Sequence, residues 1–293
     1  MDRKGTLQER IEKMRKLLQE CQICPRRCKV NRFENKFGTC KVGKLPKISS
    51  YDPHFGEESP LVGTHGSGTI FITSCNLGCV FCQNYDISHC GAGYDISFER
   101  LAHMMIELQD MGCHNINFVT PTHVVPQILE ALPMAIRDGL NIPLVYNTGG
   151  YDLVETLQLL EGVFDIYMSD FKFSDNDVAS ELCKASDYPL VAMKAIREMH
   201  RQVGDLVVDE RGIAERGLIV RHLVMPHGLA GTRKVMQFLA QNISSNTYVN
   251  IMDQYRPCGI AHAYPEINRR ISMEEFENAL QIAREEGICR LAN

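Results

Sequence analysis

No stretch of the sequence stays apolar for the roughly 18 residues that a membrane-spanning helix needs. The N-terminus, MDRKGTLQERIEKMRKLLQE, is a charged amphipathic helix pattern without the apolar centre and small-residue cleavage site of a secretory signal. Both absences predict a cytoplasmic protein without a membrane partner. A basic excess is missing too: 31 Lys and Arg stand against 36 Asp and Glu, giving a formal charge of -5. The sequence pI is about 6.1. The surplus of positive charge that drives sequence-independent binding to phosphate backbones is absent, so nucleic acid is not an expected partner. Repeats and low-complexity linkers are not evident. With 44% hydrophobic and 23% charged residues in 293, the chain is ordinary globular material with enough length for one sizeable core or two small ones.

Cysteine is not scarce. Twelve occur, and in a cytoplasm that keeps thiols reduced they read as metal ligands sooner than as disulfides. Seven fall within the first 82 residues in two tight groups, while Cys90, Cys113, Cys183, Cys258 and Cys289 are scattered and read as small buried hydrophobes.

From about residue 68 the pattern alternates β-rich apolar runs with amphipathic helical stretches, which predicts parallel strands joined by crossover helices. Six strand candidates are GTIFITSC, NINFVTPTH, PLVYNTGG, FDIYMSDFKF, GLIVRHLVMP and TYVNIMDQYRP. Each is followed by a helical segment, the fourth of them running from Asp177 to Val203, and several segments start after Ser, Asp or Gly-Thr and stop at Gly. LVVDERGIAERGLIV reads as a hairpin feeding the fifth strand. Six units cannot close an eight-stranded barrel, so the predicted fold is α/β, an open partial (β/α)6 TIM-like barrel over 68–293. Residues 1–67 lack the alternation and read as a cysteine-bearing N-terminal appendage, one helix followed by irregular chain that a bound metal would help to fix.

Cys75, Cys79 and Cys82 have the spacing C-x3-C-x2-C and begin where the first barrel strand ends, the end at which barrel active sites lie. Three thiolates on a four-iron cubane leave one iron open. That iron can chelate the amino and carboxylate groups of S-adenosylmethionine and pass an electron to its sulfonium, releasing a 5′-deoxyadenosyl radical. A zinc site would instead want four closed ligands. Phe81, just before the last cysteine, suits contact with an adenine or simple loop packing. Asp170 and Lys172 at the end of the fourth strand share a face by the two-residue period, as a common site or as a salt bridge.

The triplet on its strand and the six-unit barrel resemble the radical SAM superfamily, and within it the group similar to pyruvate formate-lyase-activating enzymes. The resemblance spans essentially the whole chain and implies a [4Fe-4S] cluster, S-adenosylmethionine and an electron donor such as flavodoxin or ferredoxin. In the activases a Met-x-Asp-x-Lys segment lies beside the cosubstrate, its Met and Asp helping to hold a monovalent cation and its Lys reaching the methionyl carboxylate. Carried over, those roles fall on Met168, Asp170 and Lys172. Asn147 and Thr148 match the activases' acidic-Thr-Asn-Gly stretch, with Asn147 standing where the acid would be. The second strand departs further: Val119-Thr120-Pro121-Thr122-His123 replaces the superfamily's Gly-Gly-Glu, leaving Thr120 and Thr122 as acceptors for the methionyl ammonium and His123 as a structural or substrate-facing residue. Arg221 resembles the activases' fifth-strand arginine, and Gln254 sits at the sixth strand end, both suited to an anionic ligand or to a rim contact. The polar segment from Gln254 to Arg270 is placed to cover the barrel mouth.

Cys21, Cys24, Cys28 and Cys40 read C-x2-C-x3-C-x11-C. Four close thiols suit structural zinc or a second iron–sulfur cluster, or remain unmetallated. The functions implied are activation of a glycyl-radical enzyme, radical modification of a small molecule or RNA, or, outside catalysis, structural metal binding.

Overall fold

The computed structural model describes residues 6–34 and 36–292; Met1 to Gly5, where the predicted N-terminal helix begins, lie outside them, as do Asn35 and Asn293. The strands are β1 (Lys47–His54), β2 (Ser67–Ile72), β3 (Tyr94–Asp95), β4 (Ile116–Val119), β5 (Leu144–Thr148), β6 (Ile166–Asp170), β7 (Val207–Val208), β8 (Ala214–Leu223), β9 (Tyr248–Met252) and β10 (Arg290–Leu291). The helices are α1 (Leu7–Gln19), α2 (Ser59–Val62), α3 (Tyr85–Ser88), α4 (Phe98–Asp110), α5 (Val125–Arg137), α6 (Val154–Gln158), α7 (Asn176–Cys183), α8 (Tyr188–Val203), α9 (Thr232–Asn242) and α10 (Met273–Glu285).

The sheet order is β10-β9-β8-β6-β5-β4-β2-β1-β3, with β7 paired off this path to β8. From β2 to β10 every neighbour in that order is parallel; β1 runs antiparallel to β2 and to β3. The six expected strands are therefore β2, β4, β5, β6, β8 and β9, in an open barrel. Helices cover one face of each strand, so the central ones are buried throughout, as parallel strands must be.

The two-residue period sorts side chains into two cores. Tyr146, Tyr167 and Val220 pack outward in the large core shared with the helices. Val145, Ile166, Met168, Ile219 and Tyr248 point the other way and fill the lower barrel interior together with Leu61 from α2.

Differences from the expected elements have local causes. The stretch from Asp177 to Val203 is two helices, because α7 stops at left-handed Lys184 (φ 57) and Pro189 sits in the first turn of α8. The second strand ends at Val119, since left-handed Thr120 and then Pro121 turn the chain into a short 3-10 segment. The stretch before residue 68 is not wholly irregular: β1 joins the sheet, and α2 enters the barrel interior. Polar Ser, Asp and His residues with a half-exposed burial pattern hid β1 from hydrophobic patterning. The Val207–Val208 and β8 hairpin forms as expected, around Gly212 (φ 81) and the Asp209 carboxylate, which accepts from the Arg211 and Ile213 amides at 2.8 Å.

Candidate functional site

The cysteine loop leaves β2 through Ser74, in a left-handed turn (φ 74), and lies along the end of α7. Gly78 N donates to Cys183 O at 3.1 Å and Val80 N to Leu182 O at 2.9 Å. The sulfurs already have donors: Leu77 N to Cys75 Sγ at 3.3 Å and Ser88 Oγ to Cys82 Sγ at 3.2 Å. Burial pushes the Cys75 thiol up to about 12, with the neighbouring Cys79 and Cys82 adding to it. Three thiols this poorly solvated need a positive partner to ionise, and cluster irons would provide it. Lys172 is the protein cation that favours their thiolates. The residues present therefore fit a cluster held by Cys75, Cys79 and Cys82.

Sequence reasoning missed a fourth thiol here. Cys183 Sγ lies 3.2 Å from Cys79 Sγ, and that contact, ahead of burial, raises the Cys79 pKa. Of the other scattered cysteines, Cys113 is buried as expected, whereas Cys90 and Cys289 are exposed and Cys258 is half-buried.

Facing the loop from β6 and β8 is a charged set. Asp170 accepts from Lys172 Nζ and, at 2.8 Å, from Arg221 Nε; Arg221 also donates to Asn147 Oδ1 at 2.7 Å and Glu57 Oε2 at 3.3 Å. Burial opposes the Asp170 charge, but Arg221 and Lys172 outweigh it and hold the carboxyl below its usual range. Lys172 is correspondingly held protonated, Asp170 overcoming the effect of burial. The Arg221 guanidinium thus bridges the Asp170 and Asn147 oxygens. Met168 is fully buried in the lower interior core.

Thr122, expected as an acceptor for the methionyl ammonium, and Thr148, matched to the activases' third-strand stretch, give their hydroxyls to Asp152 at 2.7 Å each, and Tyr146 OH donates to the same carboxylate at 2.8 Å. Asp152, 2% exposed, is a structural hub invisible in the motif. Thr120 is held left-handed (φ 62), a strained position for a β-branched residue, by its amide's 2.7 Å bond to Asn147 O. His123 is structural: fully buried, it bonds Thr73 O through Nε2 at 2.9 Å. Phe81 is 5% exposed and packs edge-on against Phe173 and Tyr255, so packing accounts for it. Gln254 is exposed at the mouth, and the segment beyond it seats on the cysteine loop through Ile260 N to Val80 O at 2.9 Å.

The N-terminal cysteines gather beside this loop. Cys21, Cys24 and Cys40 are buried and Cys28 half-buried. Burial pushes Cys24 up to about 12, with Cys40 and Cys21 adding to it, and burial likewise raises Cys40, with Cys21 and Cys28 adding. Arg32 donates to Cys40 Sγ at 3.2 Å and to His123 O at 2.7 Å. Arg26, between Cys24 and Cys28, donates to Asn76 O at 2.8 Å and Lys184 O at 2.7 Å. Among the described residues no group of three His, Cys, Asp or Glu side chains converges on a single-ion site. A cubane separates its ligands more, each cysteine binding its own iron.

Among the described residues no helix is long and apolar enough to cross a membrane. The radical SAM superfamily model matches residues 69–212, from β2 through the turn before β8. The chain is 38% identical over 283 residues to the uncharacterized protein MJ0674 of Methanocaldococcus jannaschii, covering 94% of this chain and 77% of that one. Among solved structures it is similar to Streptococcus suis SuiB bound to precursor peptide SuiA (TM-score 0.52, 13% identity, 75% of this chain and 46% of SuiB). It is similar also to HydG, a maturase of the [FeFe]-hydrogenase (TM-score 0.50, 15% identity, 73% of this chain and 47% of HydG). The chain spans a little under half the length of those two, and at such identity the likeness is one of fold. With the family model matched along the barrel and the open barrel fold in agreement, the chain belongs to the radical SAM superfamily.

Proposed function

We propose that Cys75, Cys79 and Cys82 hold the [4Fe-4S] cluster of this radical SAM enzyme and that it activates a glycyl-radical enzyme by taking a hydrogen atom from a glycine of that partner. The observation that carries the first part is the cysteine loop at the exit of β2 with the Asp170–Lys172–Arg221 set opposite. When bound, the cluster and S-adenosylmethionine supply a 5′-deoxyadenosyl radical. Lys172, kept protonated by Asp170, offers its ammonium to the methionyl carboxylate, and Arg221 braces Asp170 so that the lysine is held in place. Gln254, exposed at the mouth, is free to meet the ligand's polar rim. The open barrel suits a peptide loop, and SuiB, of similar fold, is bound to a precursor peptide. Flavodoxin or ferredoxin would supply the electron. The N-terminal thiols are read as a second metal site, zinc or another cluster.

Anaerobically reconstituted protein with dithionite and S-adenosylmethionine should release 5′-deoxyadenosine and methionine, and Cys79→Ala should release neither. A glycyl radical signal on an added glycyl-radical enzyme would establish the partner; deoxyadenosine without that signal would leave the chemistry and remove the activase role. Metal analysis of Cys79→Ala identifies the N-terminal metal, since iron or zinc retained there sits at Cys21, Cys24, Cys28 and Cys40.

A further inference from the structure

Two carboxylates stand inside the barrel with no role in the chemistry described above. The chain leaves β1 at His54, beside the start of β2, and turns under the barrel at the end opposite the cysteine loop. α2 then enters the interior: Leu61 is fully buried in the lower core, and Asn115 Nδ2 holds its carbonyl at 2.9 Å. Just ahead of α2, Glu57 and Glu58 are thereby fixed within the barrel.

Glu57 meets Arg221 from below and lies against Asn117 of β4. Glu58 accepts from Asn250 Nδ2 at 3.0 Å through Oε1, while its buried Oε2 has no hydrogen-bond partner. Asn117 is fully buried; its amide leans on the Glu57 carboxylate, and its carbonyl oxygen has no hydrogen-bond partner. Unsatisfied polar atoms at such depth are costly and call for a partner. Side-chain exposure falls steadily from Lys172 at 19% and Arg221 at 18% to Glu57 at 8%, a polar path leading inward from the mouth. Along it three carboxylates, Glu57, Glu58 and Asp170, meet two cations, Arg221 and Lys172, and burial raises the Glu57 pKa against the pull of Arg221.

We propose that Glu57, Glu58 and Asn117 form the floor of a substrate pocket and bind a primary ammonium group of the substrate. Each residue contributes one acceptor, matching the three N–H donors of an ammonium. An ammonium seated there would favour the ionised Glu57 carboxylate that burial opposes. This assignment deepens the radical SAM function proposed above and rests on it, because the barrel interior is where a substrate would meet the radical.

Propylamine and propan-1-ol are titrated into the reconstituted holoenzyme, with binding followed by ligand-observed NMR. Propylamine should bind saturably in the millimolar range and the alcohol should not; Glu58→Gln and Glu57→Gln should each weaken the amine at least tenfold. Both changes keep shape and volume, and melting curves identify a misfolded variant, in which case the other one decides. Equal binding of amine and alcohol, or amine binding unaltered in the folded variants, would overturn the assignment. Acetyl-lysine methylamide binding more tightly than propylamine marks a lysine of a peptide as the source of the ammonium, and the reverse order marks a free amine. Deoxyadenosine release by the wild-type protein is read separately: its absence with intact amine binding removes the radical function, and its presence without amine binding removes only the floor.

Discussion

Arg26 Nε donates to the carbonyl oxygen of Asn76 at 2.8 Å, tying the N-terminal cysteine group to the residue that directly follows Cys75. The same guanidinium reaches Lys184 O and lies 5.3 Å over the Tyr151 ring, so three segments far apart in the chain meet on one side chain. Arg26→Ala should lower the stability of the cluster-free protein by about 2 kcal/mol, the scale of hydrogen bonds from a charged group. It should also speed proteolysis in 1–46 relative to the barrel. Denaturant unfolding and timed protease digestion measure the two effects, and an unchanged digestion pattern would show that Arg26 does not anchor the appendage.

Cys79 and Cys183 are close enough to react with one another when no iron is bound. In air, the cluster-free protein should lose two free thiols as their sulfurs join, the two protons leaving to solvent and the two electrons passing to dioxygen. Peptide mapping should find Cys79 linked to Cys183, and Cys183→Ser should block the linkage and slow the loss of reconstitutable protein. Recovery of Cys79 linked to Cys75 or Cys82 instead would refute the pairing.

With the Arg221 guanidinium seated between Asp170 and Asn147, deoxyadenosine formation should be indifferent to exchanging potassium, sodium or a bulky organic cation at constant ionic strength. Arg221→Gln removes one of the two cations on Asp170 and the one on Glu57. Loss of one partner from a buried ion pair costs about 3 kcal/mol, readable as a lower melting temperature. A marked potassium requirement in the wild-type protein would place a metal cation between Asp170 and Asn147 in the guanidinium's stead.

Acid should weaken the fold before most carboxylates titrate. Burial pushes His123 and His222 down to about 4. His222 is additionally committed as a neutral ring, bonding Phe171 O at 2.7 Å and Thr232 Oγ1 at 3.0 Å. Because both folded values lie below the unfolded value near 6.5, the unfolded chain takes up protons first as the pH falls. Stability is therefore full above about pH 6.5 and is lost between there and about pH 4, by on the order of 2–3 kcal/mol per histidine. Urea unfolding across pH 4–7 should show this slope, and His222→Gln should flatten it.

The six barrel units could be read along the chain because their signals are local: strands buried on both faces are continuous apolar runs, and the helices begin at caps such as Ser97 and Ser272. The triplet was equally legible, its spacing being confined to eight residues. What escaped were meetings between segments. Glu57 reaches Arg221 across 164 residues, and Cys183 reaches Cys79 only because the end of α7 pairs with the cysteine loop. Thr148 matched a motif and Thr122 stood in for an acceptor the motif lacks here, but Asp152 had already taken both hydroxyls, which no pattern around either threonine announces.

Leu61, buried where α2 enters, closes the lower end of the barrel interior like the bottom of a cup. A one-ended vessel imposes an order in time: a molecule destined for the bottom has to arrive before the rim is occupied, and it can leave only after the rim clears. Substrate would then add ahead of S-adenosylmethionine, and spent cosubstrate fragments would depart first, a sequence that steady-state product-inhibition patterns distinguish from random addition.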